Sequence, residues 1–387
     1  MKPALLNWPI AATSGWGIVG LNLFLNWAND SELAPLVGGP IGPNEMAGVD
    51  PLRVLASREA ILRSNAFQQD LQRARSGSRA LAMPIVEGLG NGLYFPDGLR
   101  GTRTIGRCIF EDTRLSGLDT KLAKYDSLLC ASHWNAELLR ANCAKPVDVI
   151  FEGIDPSLFH PAPKSGVLPK DRFYVFSGGK VEFRKGHDLT LLAFREFSRR
   201  HDDAVLVTFW HSPWPQLSIG FRGKLEAPLG QTADGRIDVK TWVARNGIDP
   251  AKVIELGPVP NAIMPPILRE MDCALAPSRA EACTNLLVKE AMACGIPVIV
   301  APNTGVIDLV ADGNCVPLMR QQPVRDFDQW GTDGWGESDV EEMVEALERL
   351  YSDSALRKTI GARGSEWLIE NGRTWQNHAQ QVKSLLM

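Results

Sequence analysis

Ser278-Arg279-Ala280-Glu281-Ala282-Cys283-Thr284-Asn285-Leu286-Leu287-Val288-Lys289-Glu290-Ala291-Met292-Ala293-Cys294-Gly295 follows an apolar run, Cys273–Pro277, and is closed by Gly295 and Pro297. The pattern predicts a buried strand, a loop, and a helix entered near Asn285 that stops at the glycine. Such a helix start offers free backbone N–H groups and a positive dipole end, a ready site for phosphate. Glu290 lies about one and a half turns into the helix, and helical side chains tilt back toward the N-terminus. Glu281 sits in the incoming loop, so two carboxylates would flank an anion-binding helix end. Carboxylates repel phosphate and are better suited to accept hydrogen bonds from hydroxyls. A nucleotide sugar supplies the hydroxyls of two sugar rings together with a diphosphate. Spacing alone allows as readily that Glu281 caps locally and that Glu290 is a solvated helix residue.

Outward from this segment, strand-like and helix-like runs alternate along most of the chain. Before residue 153, strands are predicted at Pro3–Trp8, Leu33–Val37, Leu81–Glu87, Thr104–Phe110, Ser127–Cys130 and Val147–Phe151. Helices are expected at Gly17–Asn29, Pro51–Ala74 and Trp134–Ala141. From Gly153 to Asp171 the pattern breaks, with prolines at 156, 161, 163 and 169. Neither a helix nor a central strand tolerates so many missing donors, which marks a domain boundary. Strands resume at Phe173–Ser177, Ala204–Trp210, Val253–Leu256, Cys273–Pro277, Pro297–Ala301 and Asn314–Leu318, with helices between them and three more at the end. Short strands separated by helical stretches imply parallel sheets with crossover helices. Two doubly wound α/β halves follow, with ligands expected at the carboxyl ends of the strands.

The second informative element, Phe176-Ser177-Gly178-Gly179-Lys180-Val181-Glu182-Phe183-Arg184-Lys185-Gly186-His187, also joins a strand to a helix. Its glycines permit close backbone approach, and Lys180 and Lys185 could clamp a diphosphate as point charges. For a leaving nucleoside diphosphate, that charge stabilisation is itself catalytic. Asn303-Thr304-Gly305, before an expected helix Val306–Ala311, is a further glycine-bearing helix start.

Composition narrows the partners. The chain has 387 residues, 44% hydrophobic and 22% charged, with 41 basic against 45 acidic residues. No concentrated basic face of the kind nucleic acid requires is visible. No apolar run approaches the ~20 residues of a membrane span, and the chain does not open on a signal-peptide pattern. A cytoplasmic protein, if membrane-associated then only peripherally, is expected. The seven cysteines show no metal-ligand spacing and no disulfide framework. Residues Leu52–Arg79 hold six arginines interleaved with Leu55, Ile61, Leu62, Phe67 and Leu71. A basic amphipathic helix of this kind can lie on an anionic membrane surface, though a core-facing helix with a solvated basic side is the commoner use.

Together these elements resemble the retaining glycosyltransferases of family 4. Glu152-Gly153-Ile154-Asp155-Pro156-Ser157-Leu158-Phe159-His160-Pro161 is similar to that family's interdomain signature. Gly179 to Gly186 resembles its Gly-Arg-x-x-x-x-Lys-Gly loop, and Glu281 to Glu290 its paired-glutamate motif. The final helix, entered through Thr374-Trp375, looks like the family tail that returns to the first domain. The resemblance implies an α/β GT-B fold, two facing Rossmann-like domains with a cleft between them. The first would comprise residues 1–160 plus 374–387 on the acceptor side, and the second, 161–373, would bind the donor. It further implies that Lys180 and Lys185 bind the donor diphosphate and that Gly179 lines its loop. Glu290 would hold the ribose and Glu281 the sugar hydroxyls. Main-chain groups from Cys283 through Thr284, Asn285, Leu286 and Leu287 would meet phosphate and sugar, and those near Val259 the base. No metal and no cofactor beyond the donor substrate is implied, and the acceptor would be a glycan or lipid-linked glycan. Three departures stand out. The glutamates are nine positions apart where the common motif has eight, Lys180 replaces an arginine, and Glu152 replaces an asparagine or proline.

In the amino-terminal half, Ser14-Gly15-Trp16-Gly17-Ile18-Val19-Gly20 contains Gly-x-Gly-x-x-Gly after a strand. Taken alone it suggests a dinucleotide-dependent oxidoreductase, but Asp30 comes too early for the ribose-binding acid ~20 residues beyond such a motif. The family resemblance instead places Gly15 and Gly17 in the cleft, with Glu111 in the acidic run that ends the strand at 104–110. His133 reads as a structural histidine at a helix start. A catalytically silent nucleotide-sugar-binding module is the remaining alternative.

Overall fold

The computed structural model describes residues 1–73, 79–95, 98–212, 214–325 and 331–387. Two parallel six-stranded sheets organise it. The first contains β1 (Lys2–Asn7), β2 (Leu33–Val37), β3 (Ile85–Leu89), β4 (Thr104–Cys108), β5 (Ser127–Cys130) and β6 (Val147–Val149), in the order β2-β1-β3-β4-β5-β6. The second contains β7 (Phe173–Lys180), β8 (Ala204–His211), β9 (Val253–Glu255), β10 (Cys273–Ala276), β11 (Val298–Val300) and β12 (Val316–Pro317), in the order β9-β8-β7-β10-β11-β12. Strand order reverses between β1 and β3 in one sheet and between β7 and β10 in the other. Those are the positions where a doubly wound sheet opens a crevice at its carboxyl edge. The loops singled out from the sequence leave β7 and β10 there.

Both faces of each sheet are covered, which explains why the strands read as near-continuous apolar runs. Phe173 and Val175 pack on one side of β7 with Phe194, Phe197, Trp242 and Leu347. Tyr174 and Phe176 pack on the other with Met264, Ala291, Met292 and Val298. Each large side chain so buried contributes ~1.5–3 kcal/mol. Helix α1 (Gly15–Trp27) covers the first sheet through Phe24 and Trp27. Further along are α2 (Arg58–Arg73), α3 (His133–Asn142), α4 (His187–Ser198), α5 (Leu286–Ala293), α6 (Val340–Ser352) and α7 (Ser354–Glu370).

The last helix, α8 (Trp375–Leu386), lies with the first sheet, not the second. Trp375, Ala379, Val382 and Leu386 join the core of Ala4, Leu6, Val86 and Ile105. Trp27 Nε1 donates to the Ala379 carbonyl at 3.1 Å, and Lys383 pairs with Asp30. The tail therefore crosses back to the first half, completing the GT-B arrangement.

Several expected boundaries move. The helix expected over Pro51–Ala74 is broken at Ser57 into Pro51–Ala56 and α2, and residues 74–78, with Arg75, lie outside the described residues. The strand expected at Leu81–Glu87 starts after Pro84, which has no N–H for the ladder. Residues Thr304–Leu309 form a 3₁₀ turn in place of the expected helix Val306–Ala311. Lys180 belongs to β7 and not to the loop, because Gly178, Gly179 and Lys180 remain paired with Phe209, Trp210 and His211 of β8. Among the described residues, no helix is long and apolar enough to cross a membrane.

Candidate active site

The loops leaving β7 and β10 converge because glycine lets them. Gly186 follows the 3₁₀ turn Phe183–Lys185 with φ of +69°, and a Cβ there would stand 2.2 Å from the Pro277 carbonyl oxygen. The β7 and β10 loops thus touch backbone to backbone, which brings Lys185 onto Glu281. The Lys185 ammonium lies 2.7 and 2.8 Å from the two oxygens of Glu281. Ser278 Oγ and Asn285 Nδ2 also donate to Glu281 Oε1, at 2.7 and 2.8 Å. Glu281 N donates to Thr304 Oγ1 at 2.8 Å, so the Asn303-Thr304-Gly305 turn serves as a floor beneath the glutamate loop. Burial pushes the Glu281 carboxyl up, but Lys185 and Arg184 more than offset it and hold it below the usual carboxylate range. Burial also lowers the Lys185 ammonium, opposed by Glu281.

Glu290 is not a solvated helix residue. It is 1% exposed, and burial raises its carboxyl to about 8. Asn261 Nδ2 donates to one oxygen, while Oε2 is buried with no partner. Asn285 caps α5, its side chain accepting from Val288 N, and takes φ of +56° to do so. This uncommon left-handed conformation turns the chain sharply into the helix. Thr284 Oγ1 is likewise buried without a partner. Cys283 is half-buried, and its thiol is pushed well up by burial. Leu287 packs against the second sheet and against Gly178, whereas Leu286 reaches the core of the first half. Val259 is half-buried beside Asn261, the residue that holds Glu290.

Three sequence-predicted residues stand differently from the rest. The Lys180 ammonium is directed to Glu182 at 2.7 Å and over the Trp214 ring at 5.4 Å, away from Glu281. Gly15 and Gly17 form the first turn of α1, not a loop before it. Ser14 caps that turn, its Oγ accepting from Gly17 N at 3.3 Å. The Gly15 position is open, whereas a Cβ at Gly17 would meet Ala11. The helix start still lies at the carboxyl edge of β1, facing the cleft. Asp30, in contrast, precedes β2 and so sits at the opposite edge. It accepts from Glu32 N and Leu33 N and pairs with Lys383. A carboxylate committed there does not hold a cofactor ribose, which agrees with its coming too early after the glycine motif for that role.

The halves meet across the cleft at several points. Ser132 Oγ donates to the Ala282 carbonyl at 2.6 Å, and His133 pairs with Asp308 at 2.8 Å. Asn261 N donates to the Ala12 carbonyl at 2.8 Å. Glu111 accepts from Arg184 at 3.2 Å. Behind the glutamate loop, Glu152 is shared by Arg107 at 2.7 Å and Lys289 at 3.4 Å, all three buried. Glu152, departing from the family pattern, thus neutralises one buried cation from each half. Arg184 and Asn261 were not singled out in the sequence. Nothing local marks Arg184 between the motif lysines, and only the fold brings Asn261 beside Glu290.

The family model described as Glycosyl transferases group 1 matches residues 172–353. The D-inositol 3-phosphate glycosyltransferase of Stackebrandtia nassauensis is 27% identical over 259 residues, 65% of this chain and 52% of that protein. The chain spans about half the length of the curated relatives it matches. The sucrose-phosphate synthase of Thermosynechococcus elongatus superposes with a TM-score of 0.65 at 15% identity, covering 100% of this chain and 98% of its own. Anabaena HepE in complex with UDP and glucose gives 0.59 at 15% identity, covering 100% and 99%. These likenesses and the two facing sheets give the chain the GT-B fold, with residues 172–353 similar to the group 1 glycosyl transferases.

Proposed function

We propose that this chain transfers a sugar from a nucleoside diphosphate sugar to an acceptor hydroxyl, with retention of anomeric configuration and without a metal ion. The observation that carries the reading is the placement of Lys185 on Glu281, together with the open buried oxygen of Glu290, around the start of α5 at the β7/β10 crevice. The Glu290 oxygen suits a ribose hydroxyl. The diphosphate meets the α5 backbone N–H groups and draws Lys185 away from Glu281, whose freed oxygen then accepts from the sugar hydroxyls. Lys185 stabilises the charge that develops as the anomeric carbon–oxygen bond breaks, and Lys180 adds to it on swinging off Glu182. The acceptor oxygen bonds to the anomeric carbon on the same face, and its proton passes to the leaving phosphate oxygen. Thermal-shift screening against UDP, GDP, ADP and their sugars tests the donor directly. Wild-type turnover in both Glu290→Ala and Lys185→Ala would sink the assignment.

The acceptor side supports a lipid-linked or glycan acceptor reached from a membrane surface. Leu52 and Leu55, 74% and 64% exposed, lie on the helix Pro51–Ala56 with Arg53, and Leu62, 58% exposed, lies on α2 with Arg58 and Arg73. Sedimentation with anionic liposomes should show binding at low salt that is lost at high salt. No binding at low salt removes this part of the reading.

A further inference from the structure

Arg184 has no role in the reading above, yet it occupies the centre of the cleft. Its side chain is 13% exposed and meets three carboxylates. Nη1 lies 3.0 Å from Glu281 Oε2 and 3.2 Å from Glu111 Oε1, and Nε lies 2.8 Å from Glu182 Oε2. Its own carbonyl accepts from Arg279 N at 2.6 Å and Ala280 N at 3.2 Å, so its backbone is tied to the loop that carries Glu281. Glu111 comes from the other half of the molecule and is itself fixed. Its N donates to Asn91 Oδ1 at 2.7 Å, and its carbonyl accepts from Trp335 Nε1 at 3.0 Å.

We propose that Arg184 is a positioning residue that couples closure of the cleft to the orientation of Glu281. This rests on the donor-site reading given above. When a diphosphate draws Lys185 away, Glu281 loses one cation and keeps the other. A planar guanidinium can hold two carboxylates in fixed directions, which an ammonium cannot. Glu281 is therefore aimed at the sugar while Glu111, from the opposite half, lies on the same nitrogen. Opening the cleft removes Glu111 and loosens both. Docking of the sugar and closure become one event, which the diphosphate prepares by drawing Lys185 away but which the nucleotide alone does not complete.

The test compares, in the full chain, affinity for a nucleoside diphosphate with affinity for its sugar. The probes are UDP, GDP or ADP, whichever the unaltered chain binds, and the matching nucleotide glucose or mannose. In Arg184→Gln the nucleoside diphosphate should bind within about threefold of the unaltered chain. The ratio of the two affinities should fall about tenfold, the size of one lost charge-assisted hydrogen bond. Glu111→Gln should lower the same ratio, and combining the two changes should add little, because they break one connected set. Arg184→Lys retains the charge without the fork and should fall between, and it covers the case in which Arg184→Gln fails to fold. An unchanged ratio in Arg184→Gln and Arg184→Lys, equal losses for nucleotide and nucleotide sugar, or fully multiplying effects in the double variant would overturn the proposal. If the unaltered chain binds no nucleoside diphosphate, the donor-site reading itself fails and the inference goes with it.

Discussion

A carboxylic acid buried without a partner for one oxygen is a liability to the fold, and Glu290 is such a group. Its folded value, about 8, lies above the ordinary carboxyl value reached on unfolding. The folded state therefore holds a proton that the unfolded state releases, and stability falls as pH rises from about 4.5 through about 8. Glu290→Gln removes this dependence. The variant should be more stable than the unaltered chain at pH 8, on the order of a few kcal/mol, with the difference vanishing near pH 4. The same variant should bind nucleoside diphosphate more weakly. Denaturant melts at the two pH values check the first expectation, and equal stability at pH 8 would contradict it. Glu290 was legible in the sequence because its motif is local, nine positions from Glu281. Its burial was not, because Asn261, which bonds it, lies 29 positions away in the chain and across the crevice.

At the scale of elements, the loops at the site are held by backbone contacts that admit no side chain. Gly186→Ala would force φ of +69° on alanine and drive its Cβ into the Pro277 carbonyl. A destabilisation of at least ~1–3 kcal/mol is expected, with loss of donor binding because Lys185 and Glu281 are displaced together. Beneath them, Arg279 makes a bidentate pair with Asp188, both fully buried, and a further pair with Glu337 at 2.8 Å. Asp188→Asn leaves a buried guanidinium partly uncompensated. It should cost about 3–5 kcal/mol, read as a lowered midpoint in denaturant melts. Apolar periodicity placed β2 and β5 at their observed bounds and most of the other strands within a few residues. It ended β7 three residues early, since Gly178 and Gly179 read as loop and only pairing with β8 keeps them extended. The break at Ser57 was hidden for a related reason. The helical pattern runs on through a residue whose backbone turns aside.

For the whole molecule, the tail and the shared glutamate bind the two halves into one unit. A chain ending at residue 373 would expose the faces of Trp27 and Val19 that α8 covers, and would leave Asp30 without Lys383. Loss of the buried side chains of Trp375, Val382 and Leu386, at ~1.5–3 kcal/mol each, approaches the full stability of a marginal domain. The truncated chain is expected to aggregate or to lose cooperative unfolding, as scanning calorimetry would show. Contacts that close the cleft join residues far apart in the chain, such as Ser132 with Ala282, 150 positions apart, and Glu111 with Trp335, 224 positions apart. No local pattern announces them. The two doubly wound sheets were readable from alternation, whereas the way the halves meet required the folded chain. The claim that rests on all three scales is that a nucleoside diphosphate sugar sits between Lys185, Glu281 and Glu290. Calorimetric titration of the purified chain and of Glu290→Ala with UDP, GDP and ADP tests it most directly. One of the three should bind the unaltered chain and bind Glu290→Ala at least about tenfold more weakly. Binding of none of them, or equal binding by both proteins, would contradict it.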